Sequence, residues 1–126
     1  MTLVEIVLAA VLTHGNVAAR DSLPANPIND AKSVISFLNT GHADSLQRRM
    51  TAEAQQHRTA AQRDSLWHVL VSQVGAFRRF GAARVEQDPD GGRTVVIELE
   101  FSAQPVQASV VYDASGQISS VVFQSP

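Results

Sequence analysis

The side chains in this sequence that could take part in catalysis or ligand binding are one tyrosine, four histidines and several charged residues. Tyr112 and Asp113 adjoin in a predicted strand, so their side chains point to opposite faces and do not share a pocket. Tyr112 is predicted to face the interior, either as a donor to a bound oxygen or as a core residue with its hydroxyl at the rim. Asp113 is predicted to begin a turn and to accept the amides of Ser115 and Gly116.

The histidines are predicted to be exposed. His68 follows Asp64 by four residues in a predicted helix, which is typical of a solvated face, although a catalytic base is the alternative. His42 and Asp44 lie at a helix start, and His57 lies in a turn between helices. The chain has no cysteine, and no His-x-x-x-His or Glu-x-x-x-His pair has apolar surroundings. No metal site, thiol nucleophile, disulfide or cofactor is therefore predicted.

The two strands of the first predicted hairpin contain several arginines and glutamates. Arg78 and Arg79 point to opposite faces of one strand, and Arg84 follows on the same strand. Glu98 and Glu100 on the next strand are predicted to pair with arginines across the hairpin, with each pair contributing less than ~1 kcal/mol. The alternative is that one arginine reaches a cavity mouth and holds a carboxylate.

Composition narrows the class of protein. The chain has 126 residues, of which 44% are hydrophobic and 17% charged, with a formal net charge of -2. These values predict one globular domain rather than a disordered chain. Ten basic residues against twelve acidic ones create no field that would hold a nucleic acid. No apolar run approaches the ~20 residues of an integral membrane segment.

The N-terminal segment differs from the rest of the chain. Residues 1–19 are predicted to be either a signal-like segment or an apolar N-terminal helix, because Leu3 to Leu12 is apolar except for Glu5. Residues 20–28 contain two prolines and are predicted to be a linker, so the folded domain covers 29–126. Export (periplasmic or secreted) and a cytoplasmic location both stay open.

The apolar periodicity changes along the domain. Helical spacing predicts helices over about 29–40 and 43–50, then a short one after Thr51 and a long one that Thr59 opens with a capping box and Gly75 ends. From Phe77 onward the period is two, which predicts strands over 76–87, 93–103, 106–113 and 117–124. The first strand is predicted to bend at Gly81. The fold class is α+β, with N-terminal helices packed on a curved four-stranded antiparallel sheet.

Five runs of sequence carry a resemblance to a known family: Ile35 to Gly41, Leu66 to Phe77, Val96 to Phe101, Val111 to Ile118 and Val122 to Pro126. Because these runs occur in this order, the chain from about residue 28 onward resembles a family of uncharacterised bacterial domains with the nuclear-transport-factor-2-like (cystatin-like) fold. That family occurs alone or N-terminal to α/β-hydrolases. The resemblance implies no catalytic residues, since none are established for the family, and the wider superfamily includes ketosteroid-isomerase-like enzymes.

A small apolar cavity is predicted between sheet and helices. Its candidate ligand-binding residues are Phe37, Trp67, Leu70, Phe77, Ile97, Leu99 and Tyr112. These walls offer packing but no two convergent titratable groups, so the sequence favours a non-catalytic module that binds a small apolar ligand or another protein. The alternative is a small-molecule isomerase or hydrolase with Tyr112 and an arginine or histidine at the rim of the same cavity.

Alternation in the strands leaves valines on the sheet face that points away from the helices. The candidates are Val96, Val111 and Val121, one from each of three adjacent strands. An apolar patch of this kind often marks an interface. A homodimer through the outer sheet face, or docking onto a partner domain, is therefore predicted.

Overall fold

The computed structural model describes Ile6–Val7 and residues 26–126. Of the N-terminal segment it gives only the backbone of Ile6–Val7, which forms strand β1. The interpretation of residues 1–19 as a signal-like segment or helix otherwise lies outside the described residues, as does most of the predicted linker.

Four helices come first in the described domain. They are α1 (Pro27–Asn39), α2 (Ala43–Arg49), α3 (Ala52–His57) and α4 (Ala60–Val74). The first begins earlier than the sequence predicts, because Pro27 occupies a first-turn position that needs no amide and the Asn26 side chain accepts from the Asn29 amide at 3.2 Å. The predicted caps at Asn29 or Asp30 are therefore wrong, and Asp30 is left for another role.

The capping signals of the later helices are confirmed. The Thr51 hydroxyl accepts from the Ala54 amide at 3.1 Å, and Thr59 and Gln62 form the complete capping box of α4. Gly75 ends α4 with φ +89°, a left-handed conformation that glycine adopts without a steric penalty.

Four long strands follow, as predicted. They are β2 (Phe77–Gln87), β3 (Arg93–Phe101), β4 (Pro105–Tyr112) and β5 (Ile118–Gln124), and every pairing is antiparallel. The sheet order is β1-β5-β4-β3-β2, with Ile6 and Val7 opposite Phe123 and Val122. The register of β2 shifts between Phe80 and Ala83, which confirms the irregularity predicted at Gly81.

All four helices cover one face of the sheet. The predicted inward series of β3 is confirmed, since Val95, Ile97 and Leu99 are fully buried and Phe101 nearly so. These residues join one core cluster with the inward residues of β4, β5 and the helices. The architecture is α+β, as the sequence predicts. Within residues 26–126 no helix is long and apolar enough to cross a membrane.

Candidate functional site

Three side chains from three elements meet at one edge of the core. Asp30 lies in the first turn of α1, Arg49 is the last residue of α2, and Tyr112 is the last residue of β4. The Tyr112 hydroxyl donates to Asp30 Oδ2 at 2.5 Å, and Arg49 Nη2 donates to the same oxygen at 2.9 Å. We call this group the Asp30–Arg49–Tyr112 cluster.

Local structure explains how residues so far apart in sequence converge. Met50, next to Arg49, forms a bridge with Ile118, and Ile118 lies opposite Tyr112 in the sheet. The amide of Thr51 donates to the Ile118 carbonyl at 2.9 Å, which holds the end of α2 against β5. The end of α2 is thereby attached beside Tyr112. A basic residue at a helix C-terminus and an acidic one at a helix N-terminus also suit the helix dipoles.

The electrostatics of the cluster follow from its partial burial. Tyr112 is 1% exposed, whereas the side chains of Asp30 and Arg49 are 22% and 35% exposed. Burial, reinforced by the hydrogen bond to Asp30, raises the pKa of Tyr112 well above its ordinary value, so the phenol stays neutral and acts as a donor. The hydrogen bond to Asp30 raises the pKa of Arg49. The cluster thus brings a cation and a phenol within hydrogen-bond distance of the same carboxylate oxygen.

The predicted cavity residues are divided among several places. Leu70, Ile97 and Leu99 are fully buried in the core cluster. Trp67 is 4% exposed, with ring centres 5.7 Å from Phe101 and 5.6 Å from Phe123. Trp67 and Phe77 border a pocket of about 240 Å³, Phe37 lines a different groove, and Tyr112 belongs to the polar cluster.

The outer sheet face carries two of the three predicted valines. Val96 and Val111 lie on it, but Val121 pairs with the fully buried Val110 and is itself a core residue. Cross-strand partners share a face, so the outward residue of this pair is Val122 and not Val121. The bulge between Val111 and Tyr112 shifts the register at the start of β5, which sequence alternation alone does not reveal.

The remaining candidates are on the surface. The His68 ring lies 2.8 Å from the Asp64 carbonyl oxygen and is exposed, and His57 is also exposed. Asp113 accepts the amides of Ser115 and Gln117, whereas the Gly116 amide donates to the Asp113 carbonyl. The predicted charge pairing across the hairpin is present as an ion pair at 2.9 Å between Arg79 and Glu100. Residues 26–126 contain no group of three or more side chains suited to hold a metal ion.

Sequence reasoning missed both Asp30 as a partner of Tyr112 and the buried Arg63. Arg63 is 0% exposed and donates to Gln47 Oε1 at 2.7 Å and to the Ala54 carbonyl at 2.5 Å, so it joins α2, α3 and α4. Burial, with the nearby charge of Arg58, lowers the pKa of Arg63 to about 10. The signal was available, because Arg63 precedes the buried Trp67 and Leu70 at helical spacing. Nothing comparable in the sequence pairs Asp30 with Tyr112.

Together, the fold and this cluster define a small α+β domain with helices on one face of an antiparallel sheet and a polar group at the edge of its core. The chain belongs to the family described as "Protein of unknown function (DUF3887)", whose model matches residues 31–121. The match includes Arg49 and Tyr112 and begins one residue after Asp30. Searches of the curated proteins and of the solved structures found no match to the chain.

Proposed function

We propose that this chain is a non-catalytic association module with a nuclear-transport-factor-2-like (cystatin-like) fold, which forms a homodimer through its outer sheet face. The helical layer on one face of the sheet and the long irregular strand β2 support that fold assignment. The observation that carries the proposal is the outer sheet face itself. Its centre consists of two cross-strand rows, Thr94–Val111–Ser120 and Val96–Ser109–Val122.

These rows are suited to contact another flat surface. Within these rows valines alternate with short hydroxyl side chains, and Val111 and Val122 are partly exposed, whereas Val96 is 5% exposed. On β2 the rows continue into Glu86 and Arg84, which pair with Thr94 and Val96. Exposed ion pairs, Arg79 with Glu100 and Arg84 with Glu86, lie along the β2 side. Because each pair carries both signs, a second copy offers complementary charges, and charge complementarity favours the correct orientation of partners.

The size of the face sets the expected strength of the dimer. At the usual strand spacing and rise, four strands present about 20 Å by 25 Å, which is about 500 Å² per copy and about 1,000 Å² in total. That area is at the low end for specific protein interfaces, so we expect a dissociation constant in the micromolar range.

Sedimentation equilibrium tests the dimer. We expect the wild-type chain at about 100 µM, well above a micromolar dissociation constant, to approach twice its 13.6 kDa mass. Val111→Lys, in the middle of a row, places a charge in the interface and is expected to give a monomer. Val85→Lys is the matched control, because Val85 is 36% exposed and pairs with the inward Val95, on the opposite sheet face. A wild-type chain that stays at 13.6 kDa contradicts the proposal.

A second candidate is supported by a separate observation, the carboxyl group of Asp30 beside the hydroxyl of Tyr112. We propose as the alternative a small-molecule isomerase or hydrolase of the ketosteroid-isomerase-like type. An acid, a phenol donor and the Arg49 cation near one another are the groups that acid–base chemistry on a small substrate requires. In such an enzyme, Asp30 would exchange its hydrogen bond with Tyr112 for one with substrate.

A thermal-shift screen with small acids, sterols and lipids tests this alternative. A ligand at about 100 times its dissociation constant adds about 2.7 kcal/mol, which corresponds to an increase in Tm of about 10 °C or more for a domain of this size. The shift should be lost in Asp30→Asn and kept in Arg48→Gln, which changes an exposed arginine of α2. If no compound shifts the wild type, or if Asp30→Asn shifts equally, the enzyme alternative fails.

A further inference from the structure

A groove on the surface of α1, beside the turn into α2, is separate from both sites above. It has a volume of about 480 Å³ and is lined by Lys32, Phe37, His42 and four hydroxyl side chains. The groove is shallow and open to solvent, and Ser33, Thr40 and His42 are exposed. The groove shares no residue with the Asp30–Arg49–Tyr112 cluster or with the rows of the outer sheet face. We call it the α1 groove.

The hydrogen bonds of Thr40 determine which nitrogen of His42 carries a proton. The Thr40 hydroxyl donates its single hydrogen to the Ser36 carbonyl at 2.7 Å, and the same oxygen lies 2.9 Å from His42 Nδ1. Since Thr40 has no second hydrogen, Nδ1 must be the donor to Thr40. In the neutral ring the other nitrogen, Nε2, is then an acceptor, and no residue within 26–126 forms a hydrogen bond with it.

Lys32 supplies the positive charge of the groove. It is the only lysine in the chain, and its Nζ lies 5.7 Å from the centre of the Phe80 ring. Within residues 26–126 no carboxylate lies at ion-pair distance from Lys32. A lysine held near an aromatic ring without a described carboxylate partner keeps its donors for an added anion.

The remaining lining residues of the groove indicate which other groups a ligand would carry. Ser33 and Ser36 donate their hydroxyl hydrogens to the carbonyls of Asn29 and Lys32. Their hydroxyl oxygens can therefore act only as hydrogen-bond acceptors for a ligand in the groove. Phe37 is partly buried and provides an apolar surface. A ligand that fits this groove carries an anionic group for Lys32, an apolar body for Phe37 and a hydroxyl donor for His42 or the serines.

We propose that the α1 groove binds a small organic carboxylate with an apolar ring and a hydroxyl group. Its carboxylate is held by Lys32, its ring lies against Phe37, and its hydroxyl donates to His42 Nε2. The proposal does not depend on dimerisation or on the enzyme alternative, since neither uses these residues.

The experiment uses 4-hydroxybenzoate as the probe and 4-hydroxybenzamide, its uncharged analogue, as the control ligand. Reductive methylation with ¹³C labels Lys32 and the N-terminal amine, so the single lysine gives one assignable side-chain signal. We expect 4-hydroxybenzoate to shift this signal in a saturable way, with a dissociation constant below about 5 mM. The amide is expected to bind at least about tenfold more weakly, because a charge-assisted hydrogen bond is lost.

Variants distinguish the groove from other sites. By isothermal titration, Lys32→Gln and Phe37→Leu are each expected to weaken 4-hydroxybenzoate binding by about tenfold or more. Arg48→Gln removes an exposed cation of α2 that pairs with Asp44, and it should leave binding unchanged. Equal responses to acid and amide, a linear response without saturation, or unchanged binding in Lys32→Gln would each overturn the proposal. Retained binding in Asp30→Asn distinguishes this site from the enzyme alternative.

Discussion

Replacing Arg63 with methionine is expected to lower the free energy of unfolding by about 3–5 kcal/mol. The guanidinium is fully buried and donates to the Gln47 side chain and to the carbonyls of Ala54 and Arg58. Methionine fills much of the same volume but removes the bonds to Gln47 Oε1 and to the Ala54 carbonyl, at about 1–3 kcal/mol for each group. The Ala54 carbonyl keeps the Arg58 amide as a donor, and the Arg58 carbonyl keeps Gln47 Nε2. The loss is large because this buried side chain of α4 bonds to groups of both α2 and α3.

Urea unfolding measures the effect of Arg63→Met, with the single tryptophan as the reporter. Trp67 is buried against Phe101 and Phe123, so its fluorescence follows loss of the core. Arg48→Met is the matched control, because Arg48 is exposed and forms an ordinary surface pair with Asp44, worth less than about 1 kcal/mol. If Arg63→Met does not fold, Gln47→Ala serves as a milder second variant. Its free energy of unfolding is expected to fall by about 1–3 kcal/mol. A free energy of unfolding for Arg63→Met that lies within about 1 kcal/mol of the wild-type value contradicts the role assigned to Arg63.

The second large effect is expected at alkaline pH, through Tyr112. Burial raises the pKa of its phenol in the folded state, while the unfolded state keeps a pKa near 10.0. Above pH 10 the unfolded chain therefore loses a proton that the folded chain retains, and this favours unfolding. The stabilisation is complete well below pH 10, and above pH 10 its loss approaches about 1.4 kcal/mol per pH unit until the folded protein also ionises.

Tyr112 is the only tyrosine, so phenolate absorbance near 295 nm reports this residue alone. We expect the folded protein to show no phenolate at pH 11, and the chain in concentrated urea to titrate near pH 10. In Tyr112→Phe the loss of stability between pH 10 and pH 11 should be about 1 kcal/mol smaller than in wild type, because the unfolded phenol is already half ionised at pH 10. This difference cancels groups common to both proteins, including Arg63. Phenolate formation near pH 10 in the folded protein would contradict the burial and hydrogen bonding of Tyr112.

The sequence predicted most of the fold because its signals are local. A threonine and a glutamine three residues apart open α4, a glycine ends it, and strict alternation places Val95, Ile97 and Leu99 on the inner face of β3. Each of these signals acts within a few residues, so spacing alone reveals it. The start of α1 differs from the prediction although its signal is also local. Asn26 and Asp30 are both capable caps, and the position of Pro27 decides between them.

The candidate sites were less predictable because they depend on contacts distant in sequence. The sequence predicts an inward Tyr112, but its partner Asp30 lies 82 positions away, where the sequence predicts only a helix cap. Alternation predicts Val121 on the outer sheet face, and the register at the bulge places Val122 there instead. Arg63 has the same helical spacing as the buried Trp67 and Leu70, but its acceptors lie on α2 and α3, which the sequence of α4 does not reveal.

By itself, the sequence determined that this chain is an α+β domain with helices before a four-stranded antiparallel meander, and that β3 presents an apolar inner face. These features follow from periodicity, capping and turn residues, which act over a few positions. Only the tertiary structure decided that Asp30, Arg49 and Tyr112 meet, that Arg63 joins three helices, and which valines face outward. Those outcomes depend on strand register and on how helices pack on the sheet, and both are set by the whole core rather than by any one segment.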